Sequence, residues 1–121
     1  MHPRRGEVWW VSFDPTVGGE IQKTRPAVVL SNNAANAALN RVVVVPLTSQ
    51  TARVYPAEAL IMLNGERRKA MTDQVTTASK LRLRNRAGNL SLADMTAVED
   101  ALLQHLAIHR FAGWRRQPPE N

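Results

Sequence analysis

The sequence predicts a small, mainly β domain, a twisted antiparallel sheet or barrel covered by one C-terminal helix. Three observations carry that prediction. Strand-sized apolar runs follow one another at Glu7–Phe13, Ala27–Ser31, Arg41–Leu47 and Ala57–Leu63. Turn signals separate them, among them Gly18-Gly19 and Asn64-Gly65. A single long helical pattern comes last, after Gly88-Asn89.

Taken in order, Glu7 to Phe13 alternates as a strand. Trp9, Val11 and Phe13 share a wholly apolar face that should be core. Trp10 then points away from that core, towards a partner or a second layer. Asp14 to Arg25 reads as a polar connection in which Gly18-Gly19 allows tight turning. Ala27 to Ser31 and Arg41 to Leu47 are continuous apolar strands, and Asn32 to Asn40 between them suits a short helical turn. Ala57 to Leu63 is a further strand, closed by Asn64-Gly65. Lys69 to Thr77 and Lys80 to Arg84 should complete the sheet. In the latter, Leu81 and Leu83 would be buried, while Lys80, Arg82 and Arg84 form a cationic stripe. Gly88-Asn89 reads as a turn, and Ser91 as a helix cap with Asp94 three residues on. Met95, Val98, Leu102 and Leu106 recur at helical spacing and should pack on the sheet.

At 121 residues the chain predicts one domain, residues 1–110, with a frayed tail at 111–121 that carries Pro118-Pro119. A domain of this size buries roughly two-thirds of its unfolded surface, and a dimer would help complete the core. With no cysteine, disulfide and thiolate chemistry are excluded. Met1-His2-Pro3-Arg4-Arg5 lacks an apolar signal core, and no apolar run is long enough for a membrane helix, so a cytoplasmic protein is expected. Sixteen Lys and Arg against ten Asp and Glu leave a formal charge of +6. That balance favours nucleic acid or an acidic protein as partner, with a merely solvated basic surface as the plain alternative.

Two polar signatures interrupt the apolar strands. Thr24-Arg25-Pro26 stands immediately before Ala27-Val28-Val29-Leu30, and Pro46-Leu47-Thr48-Ser49 immediately after Val42-Val43-Val44-Val45. A guanidinium offers a fixed fork of donors suited to phosphate. A threonine hydroxyl can donate to a phosphoryl oxygen. If the strands are neighbours, their ends form one anion site.

These signatures resemble those of the MazF/PemK toxin family. The likeness begins at Arg5-Gly6-Glu7-Val8-Trp9-Trp10 and runs through Phe13-Asp14-Pro15-Thr16, Gly18-Gly19-Glu20 and both signatures. It resumes at Asp73-Gln74-Val75 and extends to about His109. The resemblance implies the SH3-like barrel shared by MazF/PemK and CcdB toxins, usually a homodimer, and the face assignment of the first strand then puts Trp10 at or beside the partner surface. It also implies an endoribonuclease acting on single-stranded RNA without a metal or other cofactor, restrained by an acidic MazE-like antitoxin.

RNA carries its own nucleophile, the 2′-OH. Cleavage then requires aligning that hydroxyl with the leaving 5′-oxygen, moving two protons and stabilising charge on the phosphoryl oxygens. The resemblance places the active-site arginine at Arg25 and carries Thr48 over from the Pro-x-Thr-Ser motif. It makes Glu20 a candidate base and puts Asp73 and Gln74 near the RNA groove; Ser49 would assist there or simply end the strand, and the cationic stripe Lys80, Arg82 and Arg84 is a further candidate RNA contact. The chain departs from the PemK branch. It has Met71 where that branch has an arginine, Gly19 where it has a histidine, and Thr76 where a basic residue is frequent. The Arg–Thr machinery is therefore intact and the Asp–Arg–His version absent. His105 and His109, four apart, could share a metal, but no third ligand is evident and structural or solvated histidines explain them better. Two other readings compete: a non-enzymatic CcdB-like binder of gyrase, which would not need Arg25 with Thr48, and a non-catalytic nucleic-acid-binding barrel, which would need more exposed aromatics for stacking.

Overall fold

The arrangement of the sheet follows from where the apolar strands can find partners. A computed structural model describes residues 2–13 and 23–109. Strand β1 (Glu7–Phe13) pairs antiparallel with β2 (Lys23–Val29), in register from Val8 opposite Val28 to Phe13 opposite Lys23. β2 pairs with β3 (Arg41–Thr48), Ala27 facing Pro46 and Val29 facing Val44. β4 (Glu58–Leu63) forms a hairpin with β5 (Glu66–Met71). β6 (Thr76–Ser79) and β7 (Leu83–Asn89) follow. The other edge of β3 is shared: β6 takes Arg41 to Val44, and β5 takes Leu47 and Thr48. Pro46, which has no N–H to offer a ladder, sits where that edge passes from β6 to β5. β7 pairs with the free side of β1, giving the strand order β4-β5-β3-β2-β1-β7 with β6 beside β3.

Two clusters lie on opposite faces of this sheet. Helix α2 (Leu92–His105) lays Met95, Val98 and Ala101 over Val8, Val28, Val45, Leu47, Ile61 and Ala70. On the other face Val11, Ala27, Val29, Val42, Val44 and Ala78 pack together, with Trp9, Phe13 and Leu83 against them. A one-turn 3-10 helix, Lys80–Arg82, carries the chain from β6 to β7. The strands β7, β1, β2, β3 and β6 thus wrap around this second cluster. Trp9, Val11 and Phe13 do share a core face, and the opposite face buries Val8 under α2. Trp10 is half-buried and belongs to neither cluster.

Local chemistry explains the connections. The expected helical turn is α1 (Asn33–Ala38), whose cap residue Asn32 accepts the Ala35 N–H at 2.8 Å. Asn36 is fully buried because its amide donates to the Ser31 carbonyl at 2.8 Å and its Oδ1 accepts the Ser31 hydroxyl. That hydroxyl in turn accepts the Val43 N–H at 2.9 Å, tying the connection to β3. In the β4–β5 hairpin, Asn64 (φ 52°) and Gly65 (φ 82°) both take the positive φ that a type I′ turn requires. Asn64 Nδ2 donates to the Ala87 carbonyl at 2.8 Å, so the hairpin tip docks on β7. Ser91 caps α2 by accepting the Asp94 N–H at 3.1 Å. Asp94 reaches across to the Met62 N–H at 3.0 Å and covers part of the edge of β4.

Several expectations are corrected. Lys80–Arg82 is a 3-10 turn capped by Ser79, not a strand, so Lys80, Arg82 and Arg84 do not line one strand face. Leu81 projects from that turn and is 86% exposed, and only Leu83 packs inward. Gly88-Asn89 continues β7 instead of turning. A Cβ on Gly88 would lie 3.0 Å from Asn64 Oδ1 and 3.1 Å from Leu63 Cδ1, so the glycine serves close approach of the hairpin. On α2, Ala101 takes the buried place expected of Leu102, which is half-buried. Leu106 lies at the C-cap, past the last packed turn, and is 50% exposed. The Gly18-Gly19 connection, Glu20 and the 111–121 tail lie outside the described residues.

Candidate active site

Arg25 and Thr48 are set on one face of neighbouring strands. Arg25 is opposite Val11 in the β1–β2 register and in step with Ala27 and Val29, so it belongs to the face of the wrapped cluster. Thr48 is in step with Val42 and Val44 on that same face. Continuing the β2–β3 register two residues beyond Ala27 opposite Pro46 sets Arg25 against Thr48. Both are half-buried. The sheet thereby sets both residues on one face, two positions beyond the last β2–β3 pair.

The Thr48 hydroxyl is already oriented. Its Oγ1 accepts the Gln50 N–H at 3.2 Å, which leaves its own hydrogen for an acceptor elsewhere. Ser49 follows it, exposed. Asp73 and Gln74 sit exposed on the 3-10 turn Thr72–Gln74 that joins β5 to β6 beside β3. Gln74 Nε2 approaches Met71 Sδ at 3.6 Å, while the buried Thr72 anchors the turn by donating to the Ala57 carbonyl. Lys80 is separate from this group. Its N–H bonds the Asn40 carbonyl next to Arg41, at the opposite end of β3 from Thr48. Arg82 donates to the Ser12 carbonyl at 3.3 Å, and Arg84 is exposed on β7.

Sequence reading missed a cluster beside Thr48. Lys69 is the register partner of Thr48 and, unlike the exposed Arg67 two residues before it, is only 8% exposed. Its ammonium lies 3.2 Å from Glu58 Oε1, donates to the Arg53 carbonyl at 2.9 Å and stands 5.9 Å from the centre of the Tyr55 ring. The available signal is the strand period: β5 paired with β4 at Asn64-Gly65 sets Lys69 opposite Leu60, two residues along β4 from Glu58 and on the same face.

Electrostatics elsewhere are structural. Burial pushes the Glu7 carboxyl up, but hydrogen bonds from the Arg4 N–H, the Trp9 indole and the Arg86 guanidinium outweigh it and hold its pKa below the usual range. Arg5 pairs with Glu99, fastening the chain ahead of β1 to α2. His105 closes α2 and His109 lies beyond its cap. Among the described residues no three His, Cys, Asp or Glu side chains gather as a metal site, and no helix is long and apolar enough to cross a membrane.

A wrapped antiparallel sheet covered by one helix, with an arginine and a hydroxyl on one face of adjacent strands, defines a small mainly β domain. The chain belongs to the PemK-like, MazF-like toxin family of type II toxin–antitoxin systems, whose sequence pattern matches residues 4–106. It is 38% identical over 114 residues to Endoribonuclease MazF9 of Mycobacterium tuberculosis, covering 87% of this chain and 97% of that one. It is 43% identical over 75 residues to Endoribonuclease toxin MazF of Escherichia coli, covering 60% of this chain and 65% of the other. Among solved structures, MazF from Deinococcus radiodurans superposes with a TM-score of 0.74 at 26% identity, over 88% of this chain and 98% of that chain. A mycobacterial endoribonuclease in complex with its cognate antitoxin superposes with a TM-score of 0.72 at 27% identity, over 88% and 96%.

Proposed function

We propose that this chain is the toxin of a toxin–antitoxin pair, a sequence-selective endoribonuclease that cuts single-stranded RNA without a metal, at a site built on Arg25 and Thr48. The observation that carries the reading is the shared face and strand end of those two side chains. The endoribonuclease names of relatives that align along most of the chain support it. Neither the gyrase-binding nor the non-catalytic alternative gains support from them.

In this reaction the 2′-oxygen forms a bond to phosphorus as the bond to the 5′-oxygen breaks. The products are a 2′,3′-cyclic phosphate and a 5′-OH end. Arg25 grips the phosphoryl oxygens, and a charged hydrogen bond of this type contributes about 1.5–3 kcal/mol. The Thr48 hydroxyl donates to the oxygen that gains negative charge. Arginine is a poor base, so the 2′-OH proton goes to another group, for which Glu20 is our candidate, and the departing 5′-oxygen takes its proton from solvent. Ser49, Asp73 and Gln74 contact the RNA beside the reacting phosphate. The toxin acts as a homodimer in the cytoplasm, with Trp10 at or beside the partner surface. An acidic MazE-like antitoxin covers Arg25 and Thr48.

The test is incubation with a long defined RNA in EDTA, followed by mapping of the new 5′ ends. Cleavage at a recurring short motif, leaving 5′-OH ends, is expected. Loss of activity in EDTA that magnesium restores would remove the metal-free route, and absence of cleavage in any buffer would remove the function.

A further inference from the structure

Tyr55 is the chain's single tyrosine, and among the described aromatic residues it is the one with more than half of its surface exposed, at 54%. Trp9 and Phe13 pack on the wrapped cluster, and Trp10 is half-buried. A large ring left in solvent usually signals either chance or a binding surface. Here the groups around the ring are tied down. Its N–H donates to Glu58 Oε1 at 2.8 Å, and the Glu58 N–H returns a bond to the Tyr55 carbonyl at 2.9 Å. The same Glu58 oxygen holds Lys69, whose ammonium stands 5.9 Å from the ring centre, within cation–π reach. Arg53 Nη1 lies 3.4 Å from the Tyr55 hydroxyl, and the Arg53 carbonyl accepts from Lys69 at 2.9 Å.

Lys69 links this ring to the candidate site. Lys69 is directly opposite Thr48 in the β3–β5 ladder, where facing Cβ atoms stand roughly 5 Å apart. The ring also belongs to the segment that leaves β3 after Thr48 and Ser49. A tyrosine ring offers a large stacking face with few rotatable bonds to freeze when a base stacks on it. It would read π-surface and position, not a hydrogen-bond code.

We propose that Tyr55 is a stacking platform for an RNA base next to the scissile phosphate, held in position by the Lys69–Glu58 pair. The proposal rests on the endoribonuclease reading above. It makes Tyr55 a residue that sets substrate position and base preference, with no part in proton transfer. The plain alternative is a ring that only shields the Lys69 ammonium.

The test begins with a cleavage site mapped by the wild-type protein in a long defined RNA. Short oligonucleotides spanning that site carry 2′-deoxyribose at the scissile nucleotide and 2-aminopurine at each flanking position in turn. Wild-type protein is expected to quench the probe at one flank. Tyr55→Phe should keep that quench, while Tyr55→Ala and Tyr55→Leu should lose it. On cleavable RNA the Ala and Leu variants should raise KM roughly 5- to 150-fold, the range for one base–aromatic stack, with kcat little changed. Thermal melts identify any variant that fails to fold, and Tyr55→Leu, which keeps apolar bulk without stacking, then decides. Wild-type quench and KM in a folded Leu variant would overturn the platform, as would loss of kcat alone. In either case a strongly lowered cleavage rate in Arg25→Ala would leave the catalytic reading standing. A wild-type protein that cuts no RNA would overturn both.

Discussion

Thr48 faces Lys69 across the β3–β5 pairing, and the lysine turns its charge into the protein, onto Glu58 and the Arg53 carbonyl. Both partners of the ion pair expose only 11% of their side chains. Removing one charge from such a pair strands the other. Lys69→Met is therefore expected to cost roughly 3 kcal/mol of unfolding free energy, and Lys69→Met with Glu58→Gln to recover part of that loss. Urea unfolding of the two single variants and the double variant measures the coupling. A coupling indistinguishable from zero would show that the pair is effectively solvated.

Arg25→Ala and Thr48→Ala should each lower the cleavage rate by roughly 10²-fold or more, the scale for losing one preorganised donor. Both residues are half-buried at the end of the paired region, so both variants should fold normally. Arg25→Lys keeps the charge but not the fork, and should recover only part of the rate. Glu20→Gln tests the base, and an unchanged rate would remove that candidate. Near wild-type rates in both folded alanine variants would relocate the site.

Glu7 predicts a pH dependence of stability. Its folded pKa is depressed, because hydrogen bonds from Arg4, Trp9 and Arg86 outweigh the effect of burial. A depressed carboxylate stabilises the fold above its unfolded pKa, about 4.3, and loses that contribution as pH falls through the folded value. The stability difference between wild type and Glu7→Gln should hold at neutral pH and shrink steadily below about pH 4. Paired urea titrations across that range supply the check. A difference that grows on acidification would reverse the assignment.

Local signals, apolar periodicity and a type I′ turn at Asn64-Gly65, make β1, β3 and β4 legible, and polar residues abutting strands mark Arg25 and Thr48 as candidates; β2 starts earlier than expected, at Lys23, and the expected strand Lys69–Thr77 is instead the end of β5, the 3-10 turn Thr72–Gln74 and the start of β6. What it hid was set by tertiary contacts. Lys80-Leu81-Arg82-Leu83 alternates like a strand, yet Ser79 caps it into a 3-10 turn and β7 begins only at Leu83. Gly88 looked like a turn residue because its true constraint, the approach of Asn64 and Leu63, is distant in sequence. The burial of Lys69 is not legible locally, because charge is normally exposed and its partners come from β4 and from the segment after β3.

Trp10 leads to the next prediction. It is half-buried, lies opposite Pro26 in the β1–β2 register and joins neither core cluster. Sedimentation at micromolar concentration should give a dimer, and Trp10→Lys should shift it towards monomer, since a charge in an apolar contact must be desolvated. A wild-type monomer would contradict the assembly, and an unperturbed dimer in the variant would move the interface away from Trp10.

Control of the enzyme supplies the last prediction. The formal charge of +6 attracts an acidic polypeptide as readily as RNA. Lys80, Arg82 and Arg84 do not form one stripe, so attraction spreads over separate positions, among them Arg53, Arg67 and Arg84, all exposed. An antitoxin that follows Arg53 towards Thr48 would reach Arg25 across the β2–β3 register and occupy the phosphate site. Antitoxin and RNA should then compete, with both affinities falling as salt rises. The measurement is binding of an uncleavable 2′-deoxy RNA analogue against increasing antitoxin. Apparent RNA affinity should fall in proportion to free antitoxin, and Arg25→Ala should weaken both ligands. If saturating antitoxin leaves RNA affinity unchanged while still stopping cleavage, inhibition acts from another surface and occlusion of Arg25 and Thr48 is wrong.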